Sequence, residues 1–279
     1  MTSKPLTIIT GASGAMGSAA VESLAREGRS IVMACRSREK GEAVRESILG
    51  RIPDADLQVS SLDLSSLDSV RDFTASLRGC SIEALFNNAG IINRSYRLTP
   101  DGLENTIATN YVGPYLLTRM LLPLIPDGGH IVNMVSLTCS LSEISEDILH
   151  EPEEKFSQLG TYARSKLALM LFSIALARKC PRLRVNMADP GVVDSNMISM
   201  HRWFDPLADI FFRPFIKSPR KGVQPALSAI HSNLSGYIFK GHKHSLPEEN
   251  LLKGPLADRL WDLTEAITGA DKVSQGKIL

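Results

Sequence analysis

Short apolar runs alternate with longer stretches of helical periodicity along almost the whole chain. Leu6 to Thr10 reads as a buried strand, and Gly14 to Arg26 as a helix that turns Met16, Ala20 and Leu24 to one side. Ser30 to Cys35 predicts a second strand, followed by a charged helix from about Arg38 to Leu49. Leu57 to Ser60, Ala84 to Asn87, His130 to Ser136 and Leu183 to Met187 continue the strand series. The intervening helices are expected around 67–78, 101–124 and 158–179. Beyond Pro219, two helices flank a strand at Gly236 to Lys240. This alternation implies right-handed βαβ units, hence an α/β class with a doubly wound parallel sheet and helices on both faces. No repeat, low-complexity tract or Gly/Ser-rich linker divides the chain, so 1–279 is expected to be a single domain.

Two prolines refine the helices. Thr99-Pro100-Asp101 supplies an N-cap, a proline for the first helical position and an acid in the first turn, which predicts a helix start there. Pro114 lies inside the 101–124 pattern and should kink that helix just after Asn110.

Composition narrows the partners. Charged residues make up 22% of the chain and the formal net charge is +1, so no overall field attracts nucleic acid or an anionic membrane. A small molecule is the expected partner. Cys35, Cys80, Cys139 and Cys180 form no C-x-x-C pair and read as buried reduced thiols. The first residues lack a signal-peptide pattern. The longest nearly apolar run, Leu167 to Ala177, is well short of the roughly 20 residues a membrane span needs. A cytoplasmic location is the resulting expectation.

The first strand runs into Thr10-Gly11-Ala12-Ser13-Gly14-Ala15-Met16-Gly17. Small residues permit a tight turn at Gly11, close backbone approach to a pyrophosphate, and helix–strand packing at Gly17. The helix that follows presents free N–H groups and the positive end of its dipole to phosphate oxygens. At the end of the second strand stands Arg36, followed by Arg38 and Lys40, with no acid between Ser30 and Arg38. An acid there would hold the adenosine 2′-hydroxyl, whereas a guanidinium suits a 2′-phosphate. NADP (as NADPH) is therefore expected over NAD, and no metal site is expected.

Tyr162 and Lys166, four residues apart, share one face of a strongly apolar helix. A free phenol titrates about three units above neutral pH, so acid–base work there needs roughly 4 kcal/mol of preferential phenolate stabilisation. A nearby ammonium supplies part of it. Such a pair is common by chance, and acquires meaning from its company. The strand–TGASGAMG–helix turn, Asn87-Asn88-Ala89-Gly90, Ser136, Tyr162 and Lys166, in this order, resemble the short-chain dehydrogenase/reductase family. The runs MACRS and LDLSSLDSVRDF are similar to its retinol dehydrogenase-like branch. The resemblance covers essentially the whole chain and implies a Rossmann fold.

The resemblance also implies roles. Tyr162 would be the acid in reduction and the base in oxidation, and Lys166 would lower its pKa and hold the nicotinamide ribose. Ser136 would hydrogen-bond the substrate oxygen, and Asn110 would hold a water leading to Lys166. Gly11, Ser13, Gly14, Ala15, Met16 and Gly17 would cradle the pyrophosphate. Asp63 and Leu64 would meet the adenine, and Asn88, Ala89 and Gly90 the adenosine ribose. Pro190, Gly191, Val193 and Ser195 would hold the carboxamide. The chain departs from the family pattern at Ala15, where glycine is usual, and at Ser195, where threonine is more common.

Substrate selection should fall in two stretches beyond the strand ends. Residues 137–161 carry Glu143, Glu146, Asp147, Glu151, Glu153 and Glu154 and read as a solvated acidic excursion, ahead of a recognition element for a cationic substrate. Met197 to Ile216 concentrates Trp203, Phe204, Phe211, Phe212 and Phe215, and reads as a lid at about 195–217 over an apolar pocket. Contact with a membrane surface or another subunit would also use such a segment. The apolar stripes of 101–124 and 158–179 could form a homodimer face, but are equally needed within one subunit. The whole reading is an NADP(H)-dependent carbonyl/alcohol oxidoreductase. A catalytically weak dinucleotide-binding sensor or scaffold is the reading from another class.

Overall fold

The computed structural model describes residues 4–136, 144, 146–191 and 218–270. The expected lid, with Val193 and Ser195, and Cys139 lie outside the described residues. An eight-stranded sheet runs β3-β2-β1-β4-β5-β6-β7-β8. Its strands are β1 (Leu6–Thr10), β2 (Ser30–Cys35), β3 (Leu57–Ser61), β4 (Ile82–Asn87), β5 (His130–Met134), β6 (Arg184–Ala188), β7 (Ile238–Lys240) and β8 (Lys243–Ser245). All neighbours are parallel except β7 and β8; β7 lies where a strand was expected at 236–240, and its antiparallel edge partner β8 was not anticipated.

The central strands are buried on both faces, as parallel strands covered by helices must be. Side chains alternate between two cores: Ile8 and Val32 face one, Ile9, Ile31 and Met33 the other. Helices α1 (Ala15–Arg26), α2 (Arg38–Leu49) and α7 (Pro219–Ile230) cover the second core. The first lies under α3 (Leu67–Ser76), α4 (Asn105–Ile107), α5 (Gly113–Leu121), α6 (Gln158–Lys179) and α9 (Leu256–Thr268), with the short α8 (Glu249–Lys253) at its margin. Within this apolar layer runs one polar ladder. Asn87 Nδ2 donates to Thr118 Oγ1 (3.0 Å) and Asn133 Oδ1 (2.8 Å), and Asn133 Nδ2 donates to Ser173 Oγ (2.8 Å). It stitches α5, β4, β5 and α6 together in one register.

The helix expected from 101 starts later. Thr99-Pro100-Asp101-Gly102 is a turn, closed by Gly102 N–H to the Thr99 carbonyl at 3.0 Å, with Gly102 at φ +76°. Asp101 instead accepts the Leu67 N–H at the start of α3, 3.0 Å away. The helix begins at Asn105, and the buried Glu104 carboxylate caps it by accepting from Thr106 N (2.7 Å) and Ile107 N (2.9 Å). The irregularity expected near Asn110 is a π-turn over Ala108–Val112, directly before α5. Pro114 has no N–H to offer the Asn110 carbonyl four residues back, so a regular α-helical bond is impossible there.

The face shared by α5 and α6 is covered by the chain itself. Trp261 of α9 packs on Tyr115 and Phe172, with ring centroids 5.4 and 5.6 Å away. Arg119 lies 4.4 Å over the Trp261 ring and pairs with Glu265 at 2.6 Å. The stripes that could have formed a dimer face are thus consumed within one subunit. Among the described residues no helix is long and apolar enough to cross a membrane. Cys35 is buried, Cys80 and Cys180 are half-buried, and all three are free.

Candidate active site

Strand order reverses between β1 and β4, and the loops leaving their carboxyl ends part to open a groove. The turn after β1 fits a phosphate group closely. Gly11 adopts φ +65°, and a Cβ there would lie 2.9 Å from Ala89 Cα. A Cβ on Gly17 would come within 2.2 Å of the Gly11 carbonyl oxygen. Gly14 caps α1 with no side-chain hydrogen bond, which leaves the first-turn N–H groups open to the groove. Ala15 occupies the first helical position with its methyl exposed along the groove wall, so the alanine is accommodated by the turn itself.

The groove encloses about 470 Å³. Gly11, Ser13, Gly14, Ala15, Met16, Gly17, Arg36, Asp63, Leu64, Asn88, Ala89 and Gly90 all line it. Arg36 is exposed and makes no ion pair among the described residues. Lys40 joins it, whereas Arg38 turns away to Glu42 at 3.7 Å. Asn88 knits the floor: its Nδ2 donates to the Thr10 carbonyl (2.9 Å), while Thr10 Oγ1 accepts from Asn88 N and Ala89 N (both 3.0 Å). Thr10, Ile91 and Thr109 also line the groove and were not singled out by the sequence pattern, because a threonine or isoleucine beside a strand end carries no distinctive signal. Beneath the turn, burial raises the Cys35 thiol pKa, which keeps it an inert protonated group.

Past Gly90 stand polar side chains from three elements: Asn110 of the π-turn, Ser136 after β5, and Tyr162 and Lys166 of α6. Lys166 of α6 is 2% exposed; its Nζ donates to the Met134 carbonyl at 2.8 Å and lies 5.8 Å from the Tyr162 ring centroid. A Cβ on Gly90 would stand 3.3 Å from Lys166 Nζ and 3.5 Å from Asn110 Oδ1, so both groups lie close against this glycine. Asn110 is fully buried and held on three sides. Its Oδ1 accepts from Ile91 N (2.8 Å), and its Nδ2 donates to the Ile91 carbonyl (2.9 Å) and Ser165 Oγ (3.0 Å). Ser165 Oγ in turn donates to the Tyr162 carbonyl at 2.7 Å. Ser136, half-buried, follows β5 two residues beyond Met134. Tyr162 is half-buried at the first turns of α6. Ser165 is a further positioning residue that sequence spacing alone did not isolate.

The acidic excursion is corrected at Glu151. This residue is buried, and its carboxylate pairs with Arg164 of α6 at 2.6 Å. Its carbonyl accepts from Tyr96 OH at 3.1 Å, and Arg164 also donates to Thr161 Oγ1 at 3.0 Å. The pair anchors the segment before α6 to the helix that carries Tyr162. Among the described residues of this stretch, Asp147 and Lys155 form an exposed pair at 2.7 Å. On the next strand, Pro190 and Gly191 follow β6 as expected, with Gly191 at φ +71° and its N–H donating to Asp189 Oδ1 at 3.0 Å.

Known proteins resemble the chain in sequence and in fold. The family model described as short chain dehydrogenase matches residues 5–203. Human retinol dehydrogenase 13 is 30% identical over 282 residues, covering 96% of this chain and 85% of its own. Human retinol dehydrogenase 11 is 33% identical over 278 residues, covering 95% and 86%. A chloroplastic short-chain dehydrogenase, TIC 32 B of Brassica napus, is 31% identical over 92% and 86% of the two chains. Among solved structures, an uncharacterised protein of Mycobacterium paratuberculosis superposes with a TM-score of 0.77 at 29% identity, covering 96% of this chain and 94% of that one. A short-chain dehydrogenase of Shigella flexneri, solved with NADP, shares the fold at a TM-score of 0.66 and 21% identity, covering 86% and 97%. With this groove and these relatives, the chain belongs to the short-chain dehydrogenase/reductase family, in its retinol dehydrogenase-like branch, and is an NAD(P)-dependent oxidoreductase acting on CH–OH or C=O groups.

Proposed function

We propose that the protein prefers NADPH to NADH and interconverts a carbonyl and an alcohol on an apolar substrate, with Tyr162 as the acid and base. The observation that carries this reading is the buried Lys166 ammonium 5.8 Å from the Tyr162 ring centroid, beside a groove whose outer end holds the uncompensated Arg36. Bound at the turn after β1, the dinucleotide supplies or accepts the hydride. Gly11 to Gly17 hold its pyrophosphate, Arg36 its 2′-phosphate, Asp63 and Leu64 its adenine, and Asn88 to Gly90 its ribose. Lys166 lowers the cost of forming the Tyr162 phenolate, because an ammonium a few ångströms away favours the charged form. Ser136 orients the substrate oxygen toward the phenol, and Asn110 holds a water on the path to Lys166. Pro190, Gly191, Val193 and Ser195 hold the carboxamide.

The apolar substrate class has two supports. The sequence of 197–216 is rich in aromatic residues, and the curated relatives are named for retinol, an apolar alcohol. The NADP preference is consistent with the NADP and NADPH in structures of fold relatives.

The test titrates wild type and Tyr162→Phe with NADPH and NADH, then screens aldehydes, ketones and alcohols for cofactor turnover. NADPH binding by both proteins with turnover in wild type alone is the expected result. Good binding without turnover in either would favour the sensor reading, and turnover confined to small polar substrates would overturn the apolar assignment.

A further inference from the structure

Tyr162 and Lys166 share a helix but are fixed from different directions. The Lys166 ammonium donates to the Met134 carbonyl at 2.8 Å, so the end of β5 holds it whatever the start of α6 does. Tyr162 is the fifth residue of α6, close to an end whose N-cap, Ser157, makes no side-chain cap bond and whose first turn carries no acid. Helices fray from such ends. The 5.8 Å between Lys166 Nζ and the Tyr162 ring centroid therefore lasts only while the helix stays wound back through residue 162.

A clamp from the preceding segment closes this end. Its centre is Thr161, fully buried beside Tyr162. The Thr161 hydroxyl accepts from Ser157 N (3.3 Å) and Arg164 Nη2 (3.0 Å), and donates to Glu151 Oε2 (3.5 Å). The same Arg164 nitrogen pairs with Glu151 Oε1 at 2.6 Å and reaches the Lys155 carbonyl at 3.3 Å. Arg164 is folded back along the helix, since a Cβ on Gly160 would stand 3.1 Å from its Nη1. Glu151 is held in turn by Tyr96, whose hydroxyl donates to its carbonyl at 3.1 Å and whose ring meets Phe156 edge-on, 6.1 Å between centroids. A desolvated ion pair adds little net stability over an apolar contact of similar volume, whereas its directional bonds specify one geometry.

We propose that Glu151 and Arg164 are positioning residues for Tyr162: by gripping Thr161 they keep α6 wound far enough back to hold the phenol beside the Lys166 ammonium. This rests on the proposed function, in which Tyr162 is the acid and base. The clamp acts on Thr161, immediately before the tyrosine, while Ser165, itself held by Asn110, fixes the Tyr162 carbonyl from within the helix. Losing either member of the pair loosens the same turn, so both losses make the phenolate harder to form. A field effect alone would differ in sign: removing Arg164 would disfavour the phenolate and removing Glu151 would favour it.

The test titrates the Tyr162 phenol in the free protein by tyrosinate absorbance, taken as the difference between each protein and its Tyr162→Phe counterpart. Wild type is compared with Glu151→Ala, Arg164→Ala and Thr161→Val. All three variants should titrate at higher pH than wild type. Their kcat for NADPH-dependent reduction of an apolar aldehyde, nonanal, should fall about tenfold, with the NADPH dissociation constant changed by less than about twofold. Thr161→Val alters no charge and fills the same space, so it serves if an ion-pair variant folds poorly. The titration needs no turnover and decides the matter even where nonanal is a poor substrate. Opposite shifts in Glu151→Ala and Arg164→Ala, or lowered melting temperatures with an unmoved titration, would overturn the inference. Reduction of nonanal by Tyr162→Phe at the wild-type rate would overturn the acid–base reading instead, so the two failures are distinguishable.

Discussion

Removing Arg36 tests the cofactor assignment at a point where the structure permits a magnitude. The side chain is exposed at the end of β2, lines the dinucleotide groove, and makes no ion pair among the described residues. No carboxylate has to be abandoned when it meets a 2′-phosphate, and none is left stranded when it is deleted. Its contribution to binding is then close to the attraction itself. Two unit charges about 4 Å apart interact by about 1 kcal/mol in bulk water and about 4 kcal/mol near a protein surface. Taking about 2 kcal/mol for an exposed but groove-lining guanidinium, Arg36→Ala should weaken NADPH about thirtyfold. NADH, lacking the phosphate, should change less than twofold. The loss should also shrink as salt is raised, since the contact lies at the surface. Fluorescence titrations with both cofactors at low and moderate ionic strength measure all of this. A parallel loss of both cofactors would refute the reasoning, as would a wild type that binds NADH as tightly as NADPH.

Three further outcomes follow from the packing. Asn133→Ala removes the middle of the buried ladder, leaving the Asn87 amide with Thr118 alone and the Ser173 hydroxyl, which still donates to the Leu169 carbonyl, without its donor. Stability in urea should fall by about 2–4 kcal/mol, and a change below 1 kcal/mol would mean the ladder is dispensable. Glu22 carries a depressed pKa because Arg26 hydrogen-bonds it and Arg51 and Arg220 add to the attraction, partly offset by burial. A carboxylate depressed in the fold stabilises above its unfolded value and loses that contribution as pH falls through the folded one. The stability gap between wild type and Glu22→Gln should therefore be full at pH 7 and close below about pH 4 in acid-unfolding series; a gap that persists in acid would contradict it. Trp261→Ala uncovers the α5/α6 face and should cost about 3–5 kcal/mol. It should also produce self-association in light scattering where wild type shows none through this face; a variant as stable and as monodisperse as wild type would show that α9 is not its cover.

How far the site could be read from sequence depended on the range of the forces that build each part. The phosphate turn is local: Gly11, Gly14 and Gly17 must lie close in sequence because a strand end and a helix start must meet without side chains between them. Arg36 was legible for the same reason, standing one residue past a strand whose burial is continuous. The side chains proposed for catalysis come from three different elements, the π-turn, the end of β5 and α6, and the π-turn is not something periodicity reveals. Proline at 114 signalled an irregularity, but a missing N–H cannot tell a kink from a π-turn. At Thr99-Pro100-Asp101 the same residue types that open a helix formed a turn, because Gly102 at φ +76° reverses the chain before the helix can begin. Glu151 read as a solvated acid because its partner, Arg164, is thirteen residues away on a helix otherwise read for Tyr162 and Lys166.

The arrangement around Asn110 suggests why the irregular helix is worth its instability. Three of the bonds that fix the Asn110 side chain involve groups outside its own helix, two on Ile91 and one on Ser165. A regular helix at this point would have spent the Asn110 carbonyl on an N–H four residues later, and Pro114 removes that N–H. The side chain is therefore rigid while the main-chain oxygen is kept free of the regular helical bond. The same residue thus joins the loop after β4 to α6. Stability in this region is supplied by tertiary contacts, from the Leu64 backbone packed against Gly113 to the aromatic cover of α9. A Cβ on Gly113 would lie 2.2 Å from the Leu64 carbonyl oxygen, so the loop after β3, which lines the groove, presses directly on the segment that holds Asn110. The two ends of the groove are consequently one packed unit, and a substitution at either is expected to be felt at both.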